Sequence, residues 1–284
     1  MKRLLSIELQ KIWQNKASRV LIISYFVILS FIALIASIEV DFLGLHFKLA
    51  DQGIFNFPYI WHFNSFVAIW LKLFLAVIIV SMMANEYSYG TLKQNLIDGL
   101  SKEEFVKSKI YTVVLFALGS TAFIFLMTLI LGYSFSAYTE LSIVFSDMSF
   151  LLGYFLNLLG FFAFCLFTGI LIKRSAFALG FIFLWFIIEQ ILKGIIWTTF
   201  FYQQPASAGI DTVMGFFPLE SFSNLLVEPI TRFHAIKALG TQIDENNPMF
   251  NKDYYMHWYH AAISLFWTAF FMLMSYRILK KRDL

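Results

Sequence analysis

Six long apolar runs separated by polar connections organise this chain. They cover about 20–38, 63–83, 110–133, 150–172, 175–197 and 261–276, the last beginning a turn earlier near His257. A hydrocarbon core of about 30 Å takes about 20 residues of helix, so each run predicts one membrane span. Ahead of the first, Leu4, Leu5, Ile12 and Trp13 recur at helical spacing among Lys2, Arg3, Lys11 and Lys16. This predicts an amphipathic helix over 2–17, within an interfacial segment 1–19, lying in the headgroup layer with its basic residues on the polar side. A cleaved signal peptide is not expected, because Glu8, Gln10, Lys11, Gln14 and Asn15 interrupt any early apolar core.

Charge sorts the connections. Lys2, Arg3, Lys11, Lys16, Arg19, Lys93, Lys102, Lys107, Lys109, Lys173, Arg174, Arg277, Lys280, Lys281 and Arg282 fall on one alternating set, and only Lys48, Arg232, Lys237 and Lys252 on the other. The richer side is the cytoplasmic one, which predicts a multi-pass protein of the plasma or inner membrane with both termini inside. Aromatic clusters before the second run (Tyr59, Trp61) and the sixth (Tyr254, Tyr255, Trp258, Tyr259) suit the outer headgroup level. The connection 198–257 is the longest. Its part over 210–238 is still apolar, and Pro218 and Pro229 divide it into short helices expected to re-enter the outer leaflet. A solvated turn is expected over 241–248.

Composition agrees that lipid is the solvent. Hydrophobic residues are 60% and charged residues 14% of 284, with mean hydropathy +0.73, against roughly 25% charged in soluble domains. The expectation is one all-α membrane domain over 1–284, with six transmembrane helices. The net charge of +3 gives no reason to expect nucleic acid. Cys165, alone in an apolar run, offers neither a disulfide nor a thiolate metal site.

The segment 84–109 is the one charged island between apolar runs. Gly90 supplies flexibility or close approach. A short helix over 91–100 is expected, with Leu92, Leu96 and Ile97 on one side and Lys93, Gln94, Asn95 and Asp98 on the other, ended by Gly99. Ser101 with Glu104 forms a capping box that starts the next helix. A short transverse helix anchored at both ends to membrane helices can transmit force.

These residues resemble the membrane subunits (permeases) of type-2 ATP-binding-cassette exporters, and look most like those for bacteriocin or peptide-antibiotic export. The shared stretch is Glu86-Tyr87-Ser88-Tyr89-Gly90-Thr91-Leu92-Lys93, then Gly99-Leu100-Ser101-Lys102, then Lys109. The resemblance implies that the island is a coupling helix seated in a groove of a separate ATPase subunit. It assigns ATPase coupling to Glu86, Tyr87, Gly90, Thr91, Leu92, Lys93, Ser101 and Lys102, and implies a second permease copy, identical or not. The chain has no phosphate loop of its own, so ATP and magnesium would bind the partner and no cofactor this chain.

An ionisable residue at bilayer depth is costly and marks function unless paired. Lys72, Glu189 and Lys193 are the candidates for a translocation path. Lys72 and Glu189 lie at similar distances from the outer surface and could pair across spans two and five. Alternatively Glu189 pairs with Lys193 four residues on, while Lys72 snorkels outward. His257 and His260 have helical spacing for two metal ligands but no acid beside them, and no metalloprotease motif occurs. Enzymatic chemistry is not expected. The expected function is ATP-driven export of an amphipathic or hydrophobic substrate, such as a peptide, an antibiotic or a lipid-like molecule. The other reading is a non-transporting membrane anchor or sensor driven by an ATPase partner. A channel or proton-coupled carrier would want polar pore-lining residues or inverted repeats, which are not seen.

Overall fold

The computed structural model describes residues 2–35, 39–42, 45–48, 53–201, 210–232 and 253–282, and in it the apolar runs fold as helices. Helix α1 (Lys2–Gln14) turns through 89° into α2 (Lys16–Ile35). Asn15 makes the corner, its Oδ1 accepting the Ser18 N–H at 3.2 Å as an N-cap. A small antiparallel hairpin, β1 (Glu39–Phe42) and β2 (Leu45–Lys48), departs from the all-α expectation, with Glu39 opposite Lys48. The second run is two helices, α3 (Tyr59–Trp70) and α4 (Lys72–Ser88), bent by 46° at Leu71. There follow α5 (Thr91–Ile97), α6 (Lys102–Phe135), α7 (Leu141–Val144), α8 (Ser149–Ile172) and α9 (Ser175–Ile196). A π-helical turn, Trp197–Phe201, extends α9. Then come α10 (Ile210–Met214), α11 (Pro218–Ser223), a 3-10 turn (Ile230–Arg232) and α12 (Trp258–Lys281).

Four of these helices are long and apolar enough to cross a membrane, and six spans result if each bent pair, α1–α2 and α3–α4, counts as one. Helix α6 is longer than the apolar run inside it. Its capping box lies nine residues before the run, and no proline interrupts the 34 residues between Lys102 and Phe135. The short helices expected between spans five and six are present as α10 and α11, with Pro218 at the first helical position. The solvated turn over 241–248 lies outside the described residues.

Helix α8 is the hub, buried along most of its length and packed by α3, α4, α6, α9, α11 and α12. Its glycines allow this. A Cβ on Gly160 would enter the Phe222 ring, and one on Gly153 would lie 2.8 Å from the Leu225 carbonyl oxygen. Polar side chains tie the helices inside the apolar core. The hydroxyls of Tyr25 (α2), Ser120 (α6) and Tyr154 (α8) form a buried triangle, Tyr154 standing 2.7 Å from each of the others. Asn64 donates to Thr128 at 3.0 Å. Such bonds average about 0.6 kcal/mol within membranes, so they set which helix faces meet more than they hold the bundle together.

The structure has a basic end and an opposite end. Helix α1, the close of α4, all of α5, the start of α6 and the C-terminus of α12 gather at the basic end, as their mutual contacts require.

Candidate functional site at the basic end

Backbone geometry makes α5 a separate element. Gly90 stands at φ +69°, a left-handed residue that separates it from α4. A Cβ there would meet nothing within 4 Å, so the glycine serves conformation and not close approach. At the other end Gly99 stands at φ +98°. Its N–H reaches the Leu96 carbonyl at 3.2 Å, and the Leu100 N–H reaches that of Asn95 at 3.0 Å. This is the Schellman closure, which satisfies the last carbonyls of a short helix. The capping box follows: the Ser101 Oγ accepts the Glu104 N–H at 3.2 Å, and the Glu104 carboxylate accepts the Ser101 N–H at 3.1 Å.

Leu92 is buried and Leu96 packs against the core, while Lys93 and Gln94 face outward. Ile97 does not join its leucines; it is 84% exposed, and Tyr89 is 76% exposed. Five residues from Leu92 is about 140° around the helix, which turns Ile97 away from the core. Tyr89, Lys93 and Ile97 are left exposed. Gly90→Ala is expected to strain this hinge by about 1 kcal/mol and to raise amide exchange over 89–97. Unchanged exchange would show that the left-handed turn does not control α5.

A buried charge cluster holds α5 to its neighbours. Glu86, in the last turn of α4, accepts Lys109 Nζ at 2.8 Å and Lys11 Nζ at 3.0 Å on one carboxylate oxygen. Its other oxygen accepts the Thr91 hydroxyl at 2.5 Å. Lys109 is fully buried, lies over the Phe105 ring, and donates also to Glu8 at 2.5 Å. Two carboxylates and two ammoniums thus join α1, α4, α5 and α6, and their formal charges cancel. Glu8 lies inside the apolar stripe of the N-terminal helix, 5% exposed. The signal lay in the spacing, since Leu4, Glu8 and Ile12 are successive i, i+4 positions.

A second set of contacts ties in the other helix ends. Arg282 donates to the Tyr87 hydroxyl at 2.9 Å and to the Ile170 and Leu171 carbonyls at 2.6 and 3.0 Å, closing the last turn of α8. Lys102 donates to the Arg282 carbonyl at 2.6 Å and the Lys280 carbonyl at 3.3 Å, at the end of α12. Lys102 therefore fastens the end of α12, and Tyr87 lies between that fastening and α5. Lys173 sits 5.6 Å from the Tyr87 ring centre.

Lys72, Glu189 and Lys193 are arranged differently from either pairing read from the sequence. Glu189 accepts the Trp185 indole N–H at 2.6 Å and the Leu219 and Glu220 N–H groups at 3.2 and 3.0 Å. It caps α11 from another helix, since Phe217 at the N-cap position has no side-chain acceptor. Lys193 pairs with Glu220 at 2.5 Å and Asp211 at 3.2 Å instead of Glu189. Lys72 donates to Asn157 Oδ1 at 2.9 Å and lies 4.4 Å from the centre of the Phe161 ring. The same Asn157 donates to the Phe222 carbonyl at 2.6 Å. Glu189 and Lys72 thus hold opposite ends of α11, one directly and the other through an amide. The helix standing between them is the reason they do not meet.

At the opposite end His62 is stacked on Phe150, with ring centres 4.2 Å apart, between the Val227 carbonyl and the Arg232 guanidinium. His257 does have an acid beside it, Asp253 at 3.2 Å. Among the described residues no group of three or more His, Cys, Asp or Glu side chains could hold a metal ion. No family model matches this chain, and no curated protein or solved structure matches it significantly.

Proposed function

We propose that this chain is the membrane subunit of an ATP-driven exporter of the type-2 ATP-binding-cassette kind. It spans the membrane six times, with the basic end in the cytoplasm, α1 in the headgroup layer and α10–α11 in the outer leaflet. A separate ATPase subunit binds ATP and magnesium, a second permease copy completes the path, and the substrate is amphipathic or hydrophobic.

One observation carries this reading: a short, separately capped helix at the basic end, bonded through buried charges to three longer helices. A push on α5 reaches Glu86 through Thr91 and the hinge at Gly90. Sliding Glu86 away from Lys109 and Lys11 would leave buried charges unpaired, which is costly. The cluster therefore moves as a unit and carries α1, α4 and α6 with it. Two discrete arrangements of such packed helices are what a transport cycle needs. The segment 210–232, clamped by Glu189, Lys193 and Asn157, suits the outer gate.

The exposed side chains Tyr89, Lys93 and Ile97 supply the test. Changing Tyr89, Lys93 and Ile97 together to Asp is expected to abolish co-purification of magnesium-dependent ATPase activity with the tagged chain from its native membranes. Thermal stability in detergent should be unchanged, because all three side chains are exposed. ATPase activity that still co-purifies at the wild-type level would overturn the coupling role of α5.

A further inference from the structure

We infer that Lys72 marks a binding site for an acidic amphiphile, a single carboxylate head on an apolar tail. Lys72 opens α4 at the 46° elbow of the second span. About 20 Å of helix separate it from Tyr59 at one end and about 24 Å from Ser88 at the other. Read as one span, that path puts the ammonium near mid-membrane. The reach of a lysine side chain, about 6 Å, is too short for it to snorkel to either headgroup layer.

An ammonium at this depth needs a counter-anion. Among the described residues it has none: its partners are one neutral amide oxygen, Asn157 Oδ1 at 2.9 Å, and the face of Phe161 at 4.4 Å. That amide is already committed on its other side to the Phe222 carbonyl. Every other charged side chain whose contacts are described near this depth is satisfied elsewhere, Glu189 by α11 and Lys193 by Glu220 and Asp211. Two of the three ammonium N–H groups are thus left for an acceptor from outside the chain.

The surroundings fit a tail. Lys72 keeps part of its surface exposed while its ammonium turns toward α8, and the elbow beside it exposes Trp70 and Leu73 at 71% and 57%. The proposed anion enters at this elbow, and its chain lies along the apolar surface there. Bilayer phospholipids hold their phosphates at headgroup depth and do not meet this condition. The site also touches the outer gate, because Asn157 links Lys72 to the C-terminal end of α11. As a binding site it stands by itself; as a substrate site it rests on the transport reading.

The test uses the full chain in phosphatidylcholine nanodiscs, without any ATPase, and a fluorescent long-chain carboxylate, dansylaminoundecanoic acid, beside its methyl ester. The acid should bind saturably and about tenfold or more tighter than the ester. Lys72→Met should abolish that preference, and Lys72→Arg should keep it. Equal affinity of acid and ester for the unaltered protein, or no saturable binding, overturns the proposal without relying on any variant. So does a Lys72→Met protein that still prefers the acid. Competition from phosphatidylglycerol in the nanodisc would assign the site to a lipid phosphate and likewise overturn it. Failure of α5 to bind an ATPase would leave all of these readouts intact.

Discussion

Lys109→Met is expected to destabilise the chain by about 3–5 kcal/mol, since removing one member of a buried ion cluster leaves the others uncompensated. Lys109 is fully buried and serves Glu8 and Glu86 at once. Its loss strands two carboxylates 5% and 4% exposed, with only Lys11, itself partly exposed, to answer them. The melting temperature in detergent should fall clearly, and α1 should become accessible to protease. Adding Glu8→Gln and Glu86→Gln to Lys109→Met should recover most of the loss, because the charges then leave together. Lys107→Met is the control. Its contact to Glu103 is as short, 2.6 Å, but both side chains are more than half exposed, so solvent screens it and stability should not move. Equal effects of the two lysines would mean that the buried cluster does not organise the basic end.

Glu189→Leu is expected to free α11 from α9, at a cost of about 1.5–3 kcal/mol for the charge-assisted bonds it makes. The Leu219 and Glu220 N–H groups would lose their acceptor in an apolar setting with no replacement, because Phe217 cannot cap. Amide exchange should rise over 218–226 while the basic end stays as protected as before. Glu189→Gln, which keeps one acceptor oxygen, should fall between the two. If exchange over 218–226 is unchanged in Glu189→Leu, Phe222 packed on Gly160 is enough to seat the helix, and the carboxylate is not its anchor.

Much of this was legible in the chain because it depends on local spacing. The capping box at Ser101 and Glu104, the stop at Gly99 and the break at Pro218 each act within a few residues, and the structure has each of them. Ile97 leaves the side expected of it because angle around the helix, and not residue type, decides which side chains meet the core. Glu8 was visible as an acid within an apolar stripe, but nothing nearby in sequence named its partner, 101 residues away. The 46° elbow at Leu71 carries no proline or glycine to announce it.

The sequence by itself determined the solvent of this protein, the number of apolar runs and the start and stop of its charged island. Those follow from composition and from periodicities of a few residues. Only the tertiary structure decided which charges meet. Glu86 gathers lysines from α1 and α6, while Lys72 and Glu189 turn to opposite ends of α11 instead of to each other. The physical reason is that a charged group taken out of water must be answered by the polar groups that the packed helices bring to it, however distant in sequence. Which helices pack around α8 therefore selects the partners, and that selection is a property of the assembled bundle.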